Sequence, residues 1–256
     1  MYLVAIHGYP LDHRLWDPMT AELERTVPSL HVFAPDLRGR GRSTRPAADI
    51  HPMSLLADDV AADLDALLPP GERFVLAGLS MGGYVAFEFL RRHGARYRDR
   101  LAGLALLDTR ASADDEAGRA GRIAAAEAIR EHGMKAPLGS MLPKLIARAA
   151  FGTAVEETVK AMILETPPDT ARADLLGIRE REDAFTTLGT FAGPVLIAVG
   201  DDDQLTPASF AEEMAEGASS ASFVRLLTIP GAGHLSPLER PAEVAEGVAD
   251  LVRRIG

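Results

Sequence analysis

The sequence predicts an α/β protein: a mostly parallel sheet of about six strands, with helices on both faces and an inserted helical cap. Three observations lead there. Short apolar runs bounded by turn residues recur along the chain, helical periodicity fills most intervals between them, and one long interval holds helical patterns alone. The composition, 47% hydrophobic and 25% charged over 256 residues, excludes disordered, fibrous and low-complexity classes. This length nears the roughly 250 to 300 residues at which one core stops growing, which favours a single core carrying an insertion over two equal domains.

The apolar runs are Leu3 to Ile6, His31 to Ala34, Arg73 to Leu79, Leu101 to Leu107, Pro194 to Val199 and Phe223 to Ile229. Most are short and continuously apolar, as strands buried on both faces must be. Helical patterns follow at Leu15 to Val27, Leu55 to Leu68, Gly82 to His93 and Phe210 to Ala215. Pro241 opens a last helix, apolar at Val244, Val248, Leu251 and Val252, whose Arg253 and Arg254 complement its negative end. Between Arg110 and Phe191 helices are expected at Asp114 to His132, Met141 to Ala150, Ala154 to Glu165 and Thr170 to Glu182, punctuated by Gly133, Pro137, Gly152 and Pro167-Pro168. The expected organisation is a core of residues 1–109 and 192–256, with residues 110–191 inserted as the cap.

Charge and missing residue types narrow the function. Lysine and arginine number 27 against 37 acids, and the resulting charge of -10 repels phosphate backbones and anionic lipid, so neither nucleic acid nor membrane is an expected partner. Without cysteine there is no disulfide framework, thiolate metal site or cysteine nucleophile. The Met1 to Ile6 start lacks a basic leader and a small-residue cleavage site, so no signal peptide is expected and a cytoplasmic location follows by default. The most apolar stretch, Phe74 to Phe89, is interrupted by Ser80 and Glu88 and falls short of a membrane span.

Gly78-Leu79-Ser80-Met81-Gly82 fits G-x-S-x-G where a strand runs into a helix. A turn that tight strains the serine backbone, and glycines two residues either side let neighbouring segments approach without a Cβ clash. The hydroxyl then stands at the carboxyl end of the sheet, above a helix start that favours negative charge. The alternative, a packing turn with an incidental serine, leaves that strand-to-helix context unexplained. A serine is a weak nucleophile until a histidine removes its proton. His234, on the glycine-bearing loop after the last strand, has the position for that base. His31 opens a strand, His51 falls on a polar loop, and His93 and His132 end helices. The imidazole needs a carboxylate, and two positions compete: Asp203 in Gly200-Asp201-Asp202-Asp203, and Asp108 at the end of the fourth strand. Both keep the order serine, acid, histidine. In His7-Gly8-Tyr9-Pro10, the Tyr9 N–H is placed to bind an oxyanion together with that of Met81, and His7 is expected to brace the loop.

With these residues in place the chain resembles the α/β-hydrolase superfamily over nearly its whole length. The resemblance rests on His7-Gly8-Tyr9-Pro10-Leu11-Asp12, Asp36-Leu37-Arg38-Gly39-Arg40-Gly41-Arg42-Ser43, Gly78 to Gly83, the G-x-x-D-x-x-x-P pattern that puts the acid on Asp203, and the G-x-G-H that puts the base on His234. It implies the α/β-hydrolase fold with the first two strands of the usual sheet missing, a short start shared with methylesterases and hydroxynitrile lyases. The cap and the Leu107-Asp108-Thr109-Arg110-Ala111 segment look more like bacterial esterases, enol-lactonases and cofactor-free perhydrolases. Ser80 stands where epoxide hydrolases and haloalkane dehalogenases of this fold carry an aspartate nucleophile, which disfavours those activities.

The expected activity is hydrolysis of a small carboxylic ester or lactone through an acyl-enzyme on Ser80, with His234 as base, Asp203 orienting it, and no metal or organic cofactor. Perhydrolase or haloperoxidase, triad-bearing ligand receptor and lyase are the rival readings. The cap carries apolar side chains at Ile123, Ile129, Met134, Leu138, Met141, Leu142, Leu145, Ile146, Val159, Met162 and Ile163. Some of these are expected to line an enclosed apolar pocket, and the remainder to dock the helices.

Overall fold

A computed structural model describes residues 1–256. Six strands, β1 (Tyr2–Ile6), β2 (His31–Phe33), β3 (Phe74–Leu79), β4 (Leu101–Leu107), β5 (Val195–Gly200) and β6 (Val224–Ile229), form one sheet in the order β2-β1-β3-β4-β5-β6. Every pairing is parallel. The two central strands β3 and β4 are buried along their whole length, whereas the edge strands β2 and β6 are partly exposed. That difference explains why Arg225 and Thr228 are tolerated in β6.

A short 3-10 turn, His13–Trp16, precedes α1 (Asp17–Thr26). Helices α2 (Met53–Leu67) and α3 (Met81–His93) flank β3, and α4 (Glu116–His132), α5 (Lys135–Leu145), α6 (Ala154–Glu165), α7 (Pro168–Arg179) and α8 (Phe185–Gly189) lie between β4 and β5. Then come α9 (Ala208–Gly217), the single turn α10 (Ser236–Glu239) and α11 (Pro241–Ile255). Right-handed crossovers decide the faces. The step from β1 to β2 runs one way along the sheet and those from β2 to β3 and β3 to β4 run the other, so α1 lies opposite α2 and α3. Accordingly α1 packs with α11, and α2 with α3.

Boundaries agree with the sequence pattern to within about two residues for the strands and most helices, and three differences are informative. The helix expected at Met141 to Ala150 is instead α5, ending at Leu145, followed by a 3-10 turn at Arg148–Ala150. Pro137 does not break α5, because it sits in the first turn, where no intrahelical N–H is needed. The helix expected to reach Glu182 stops at Arg179, and the five-residue α8 was too short to show periodicity. Helices α4 to α7 pack on one another, whereas α8 packs on α3 and α9.

Candidate active site

The chain diverges between β1 and β3, and at such a switch point a crevice opens beyond the carboxyl ends of the strands. The residues just past these two strands are His7 to Tyr9 and Ser80. They are close: a Cβ on Gly8 would lie 3.2 Å from that of Ser80. Ser80 takes φ 53°, ψ -115°, a left-handed conformation that a non-glycine residue adopts only under constraint. The constraint is visible. Ser80 N donates to Leu107 O at 3.0 Å, and Thr109 Oγ1 donates to Ser80 O at 2.8 Å. The flanking glycines permit the approach, since a Cβ on Gly78 would meet Gly82 O at 2.3 Å and one on Gly82 would meet Ile6 O at 2.1 Å. Met81 is the first residue of α3, where N–H groups lack intrahelical acceptors, and the Tyr9 N–H donates to no acceptor in the chain.

His234 and Asp203 meet on the loops after β6 and β5. The imidazole Nδ1 donates to Asp203 Oδ2 at 2.8 Å and lies 3.0 Å from Oδ1. Asp203 also accepts from Leu205 N at 2.8 Å, Thr206 N at 2.9 Å and Thr206 Oγ1 at 2.6 Å, so its orientation is fixed from three further sides. Burial opposes the Asp203 charge, but His234 and these donors outweigh it and hold the carboxyl down at about 2. Burial likewise opposes charge on His234, and the negative charges of Asp203, Asp108 and Glu239 raise its pKa above the ordinary value. With Nδ1 committed to a carboxylate, the Nε2 lone pair is left to act as base.

Asp108, the competing acid, serves a different neighbour. Fully buried, it accepts from Gly200 N at 2.9 Å and from Ser236 N and Oγ at 3.2 and 2.5 Å. Burial and the charge of Asp203 push its pKa up to about 8. It thus ties β4 to β5 and to the turn after His234. Glu239 holds the same loop from below, accepting from Gly233 N, Leu235 N and Ala147 N at 3.0, 3.2 and 2.7 Å. No sequence pattern marked Ser236, Thr206 or Glu239, because their partners come from distant segments.

His7 is buried and its pKa falls to about 4, chiefly through desolvation and Arg40. Leu37 N donates to its Nε2 at 3.0 Å, which puts the ring proton on Nδ1, 2.9 Å from Gly8 O. The loop carrying Tyr9 is braced in this way. His51 lies on the loop before α2, as expected, and is fully buried there, with Nδ1 2.7 Å from Asp174 Oδ1 and Nε2 accepting from Ala48 N at 3.1 Å. Asp174 also pairs with the buried Arg40, so this polar cluster docks α7 on the core. Asp12, His13 and Asp36 approach one another closely enough to hold a cation, yet Arg14 occupies Asp12 while His13 and the Arg42 N–H occupy Asp36. They form a turn that joins two loops.

Ser80, His234, Tyr9 and Met81 line one cavity of about 350 Å³ under α4, α5 and α7. The expected division of the apolar side chains of the inserted helices, some lining the pocket and the remainder docking the helices, holds apart from the exposed Ile123. Of the apolar side chains in the inserted helices named above, Met141 and Leu145 line the cavity, joined by Leu175 and Ile178 of α7. Ile129, Met134, Leu142, Ile146, Val159, Met162 and Ile163 are buried in the core instead, and Ile123 is exposed. The helices need those contacts to pack on one another, and Arg110, Asp114, Arg122, Ser140 and Lys144 add polar groups to a wall that also holds Tyr84, Ala125 and Leu205.

Comparisons agree with this architecture. A pimeloyl-[acyl-carrier protein] methyl ester esterase of Neisseria meningitidis is 28% identical over 98% of this chain and 93% of its own length. A thermophilic esterase from Thermogutta terrifontis, solved with malate bound, is 37% identical, with a TM-score of 0.89 and coverage of 100% of this chain and 90% of that one. An enol-lactonase from Burkholderia xenovorans LB400, 23% identical over 98% of this chain and 91% of its own, shares the fold with a TM-score of 0.85. The sequence profile of the alpha/beta hydrolase family matches residues 3–247, and with the switch-point serine and the histidine–carboxylate pair this makes the chain a member of the alpha/beta hydrolase family.

Proposed function

We propose that the protein hydrolyses small carboxylic esters or lactones through an acyl-enzyme on Ser80. The observation that carries this reading is the pairing of His234 Nδ1 with Asp203 at 2.8 Å, in a cavity shared with a serine held at φ 53°. In the first half-reaction Ser80 Oγ bonds to the carbonyl carbon while His234 Nε2 takes its proton, and the oxyanion is stabilised by the N–H groups of Tyr9 and Met81. Collapse breaks the bond to the leaving oxygen, which receives that proton from His234. In the second, His234 takes a proton from water, whose oxygen attacks the acyl carbon, and the carboxylic acid leaves as Ser80 recovers its proton. Asp203 holds the ring and stabilises the imidazolium throughout.

The esterase relatives support the reaction class, and the cavity-lining residues of α4, α5 and α7 support reading the inserted helices as a cap that admits small-molecule substrates. Replacing Ser80 by Ala tests the mechanism. Removing one hydroxyl leaves no core cavity, so the melting temperature should hold while kcat on p-nitrophenyl esters falls on the order of a millionfold. A variant retaining a tenth of the wild-type rate would overturn the nucleophile assignment.

A further inference from the structure

The cavity wall carries a charge that ester hydrolysis does not require. Arg110, Arg122 and Lys144 line it beside one acid, Asp114, in a protein whose overall charge is -10. Asp114, buried, is already over-supplied: Arg110 pairs with it, Arg122 Nε donates to its Oδ2 at 3.1 Å, and Arg181, from behind the wall, reaches the same oxygen at 2.9 Å. Arg181 is itself occupied, stacked 4.1 Å over the Tyr84 ring and donating to Ser112 O and Ile178 O. Arg122 is not: both terminal guanidinium nitrogens are without a partner in the protein. Lys144, exposed at the rim, forms no ion pair.

Unspent donors of this kind have a chemical meaning. A planar guanidinium with two free nitrogens matches a carboxylate in bidentate fashion, and a lysine adds a mobile point charge. We propose that the substrate is an anionic ester, one bearing a free carboxylate that Arg122 and Lys144 receive. This rests on the hydrolase reading above and names the class of substrate for that site. The carboxylate belongs either to the acyl part, as in a monoester of a short dicarboxylic acid, or to the alcohol part, as in an O-acyl hydroxy acid. Both offer the same group to the same donors.

The test compares monomethyl with dimethyl esters of succinate, glutarate and adipate, and O-acetyl glycolate with its methyl ester, following acid release. The wild type should prefer the charged member of at least one pair by tenfold or more in kcat/KM, and the preference should shrink as salt is raised. Which pair shows it assigns the carboxylate to the acyl or the alcohol side. Lys144→Gln and Arg122→Gln should each lower kcat/KM for the charged ester roughly tenfold more than for its neutral partner, mostly through KM, as expected for loss of a charged hydrogen bond. Lys144 is exposed, so its variant separates charge from folding if Arg122→Gln also lowers the melting temperature. Equal rates on charged and neutral esters, or equal losses on both, would overturn the anionic-substrate inference while leaving the hydrolase reading standing. No turnover of any ester would overturn both.

Discussion

Asp203 and Asp108 lie within one buried neighbourhood, and their partners assign them opposite tasks. Asp203→Asn presents an amide to the His234 Nδ1, favours the wrong tautomer, and should cost roughly 10⁴ in kcat, together with about 1 to 3 kcal/mol of stability because the same buried carboxylate accepts from Leu205 N and Thr206. Asp108→Asn keeps one acceptor oxygen but turns an NH₂ toward Ser236 or Gly200, so it should cost about 1 to 3 kcal/mol of stability and far less activity. Kinetics and thermal melts on both variants decide the matter, and a crippled Asp108→Asn beside a mild Asp203→Asn would reverse the assignment. The pH profile gives a second check. In the proposed mechanism His234 is the neutral base, and its pKa is raised, so kcat/KM should fall as pH drops through a value on the alkaline side of 6.5. Asp203, held down at about 2, adds no inflection in the working range. Ser80, His234 and the choice between two acids could be read from the sequence, since each sits in a turn whose glycines and strand context betray it. Glu239, Thr206 and the unspent Arg122 could not, because only tertiary folding gives them partners.

Helix α3 shows why the turn that carries Ser80 behaves as an element rather than a residue. Its first turn lies against the end of β1, and a methyl group on Gly82 would sit 2.1 Å from the Ile6 carbonyl oxygen. Gly82→Ala should therefore push α3 off the sheet, costing about 1 to 3 kcal/mol or more and displacing Ser80 and Met81 together, so melting temperature and turnover should fall in parallel. Gly139→Ala is the contrast. It lies inside α5, where an added methyl would meet nothing within 4 Å, and should stabilise the protein by about 0.5 to 1 kcal/mol through helix propensity alone. Differential scanning calorimetry on the pair reads both signs. The strands were legible because a doubly covered sheet demands continuous apolar runs, which few other elements of four to seven residues show. α5 was not, because Pro137 reads as a breaker unless it is known to fall in a first turn. α8 and α10, five and four residues long, make little more than one turn each, too few for a repeat to show.

For the whole molecule the cavity volume sets the reach of the substrate. About 350 Å³, shared by an acyl chain and its leaving group, admits short chains, and each methylene that misfits is worth about 1 to 3 kcal/mol. Rates on p-nitrophenyl esters should peak between acetate and butyrate and fall steeply by octanoate; a flat profile would mean an open groove. The helices that roof this cavity leave and rejoin the sheet at nearly one point. Ala184 N donates to Ala111 O at 2.8 Å, and Arg181 reaches both Ser112 O at 3.1 Å and Asp114 at 2.9 Å. A segment whose two ends are joined by a peptide hydrogen bond can lengthen, shorten or be exchanged for another without moving β4 or β5, since the closure geometry asked of any replacement is the same. Selectivity and chemistry are thereby placed on nearly separate parts. The separation is incomplete at one place, because His234 N donates to Leu145 O at 3.0 Å and Ala147 N to Glu239 at 2.7 Å, so a graft between Ala111 and Ala184 must restore those two partners to leave His234 where it stands.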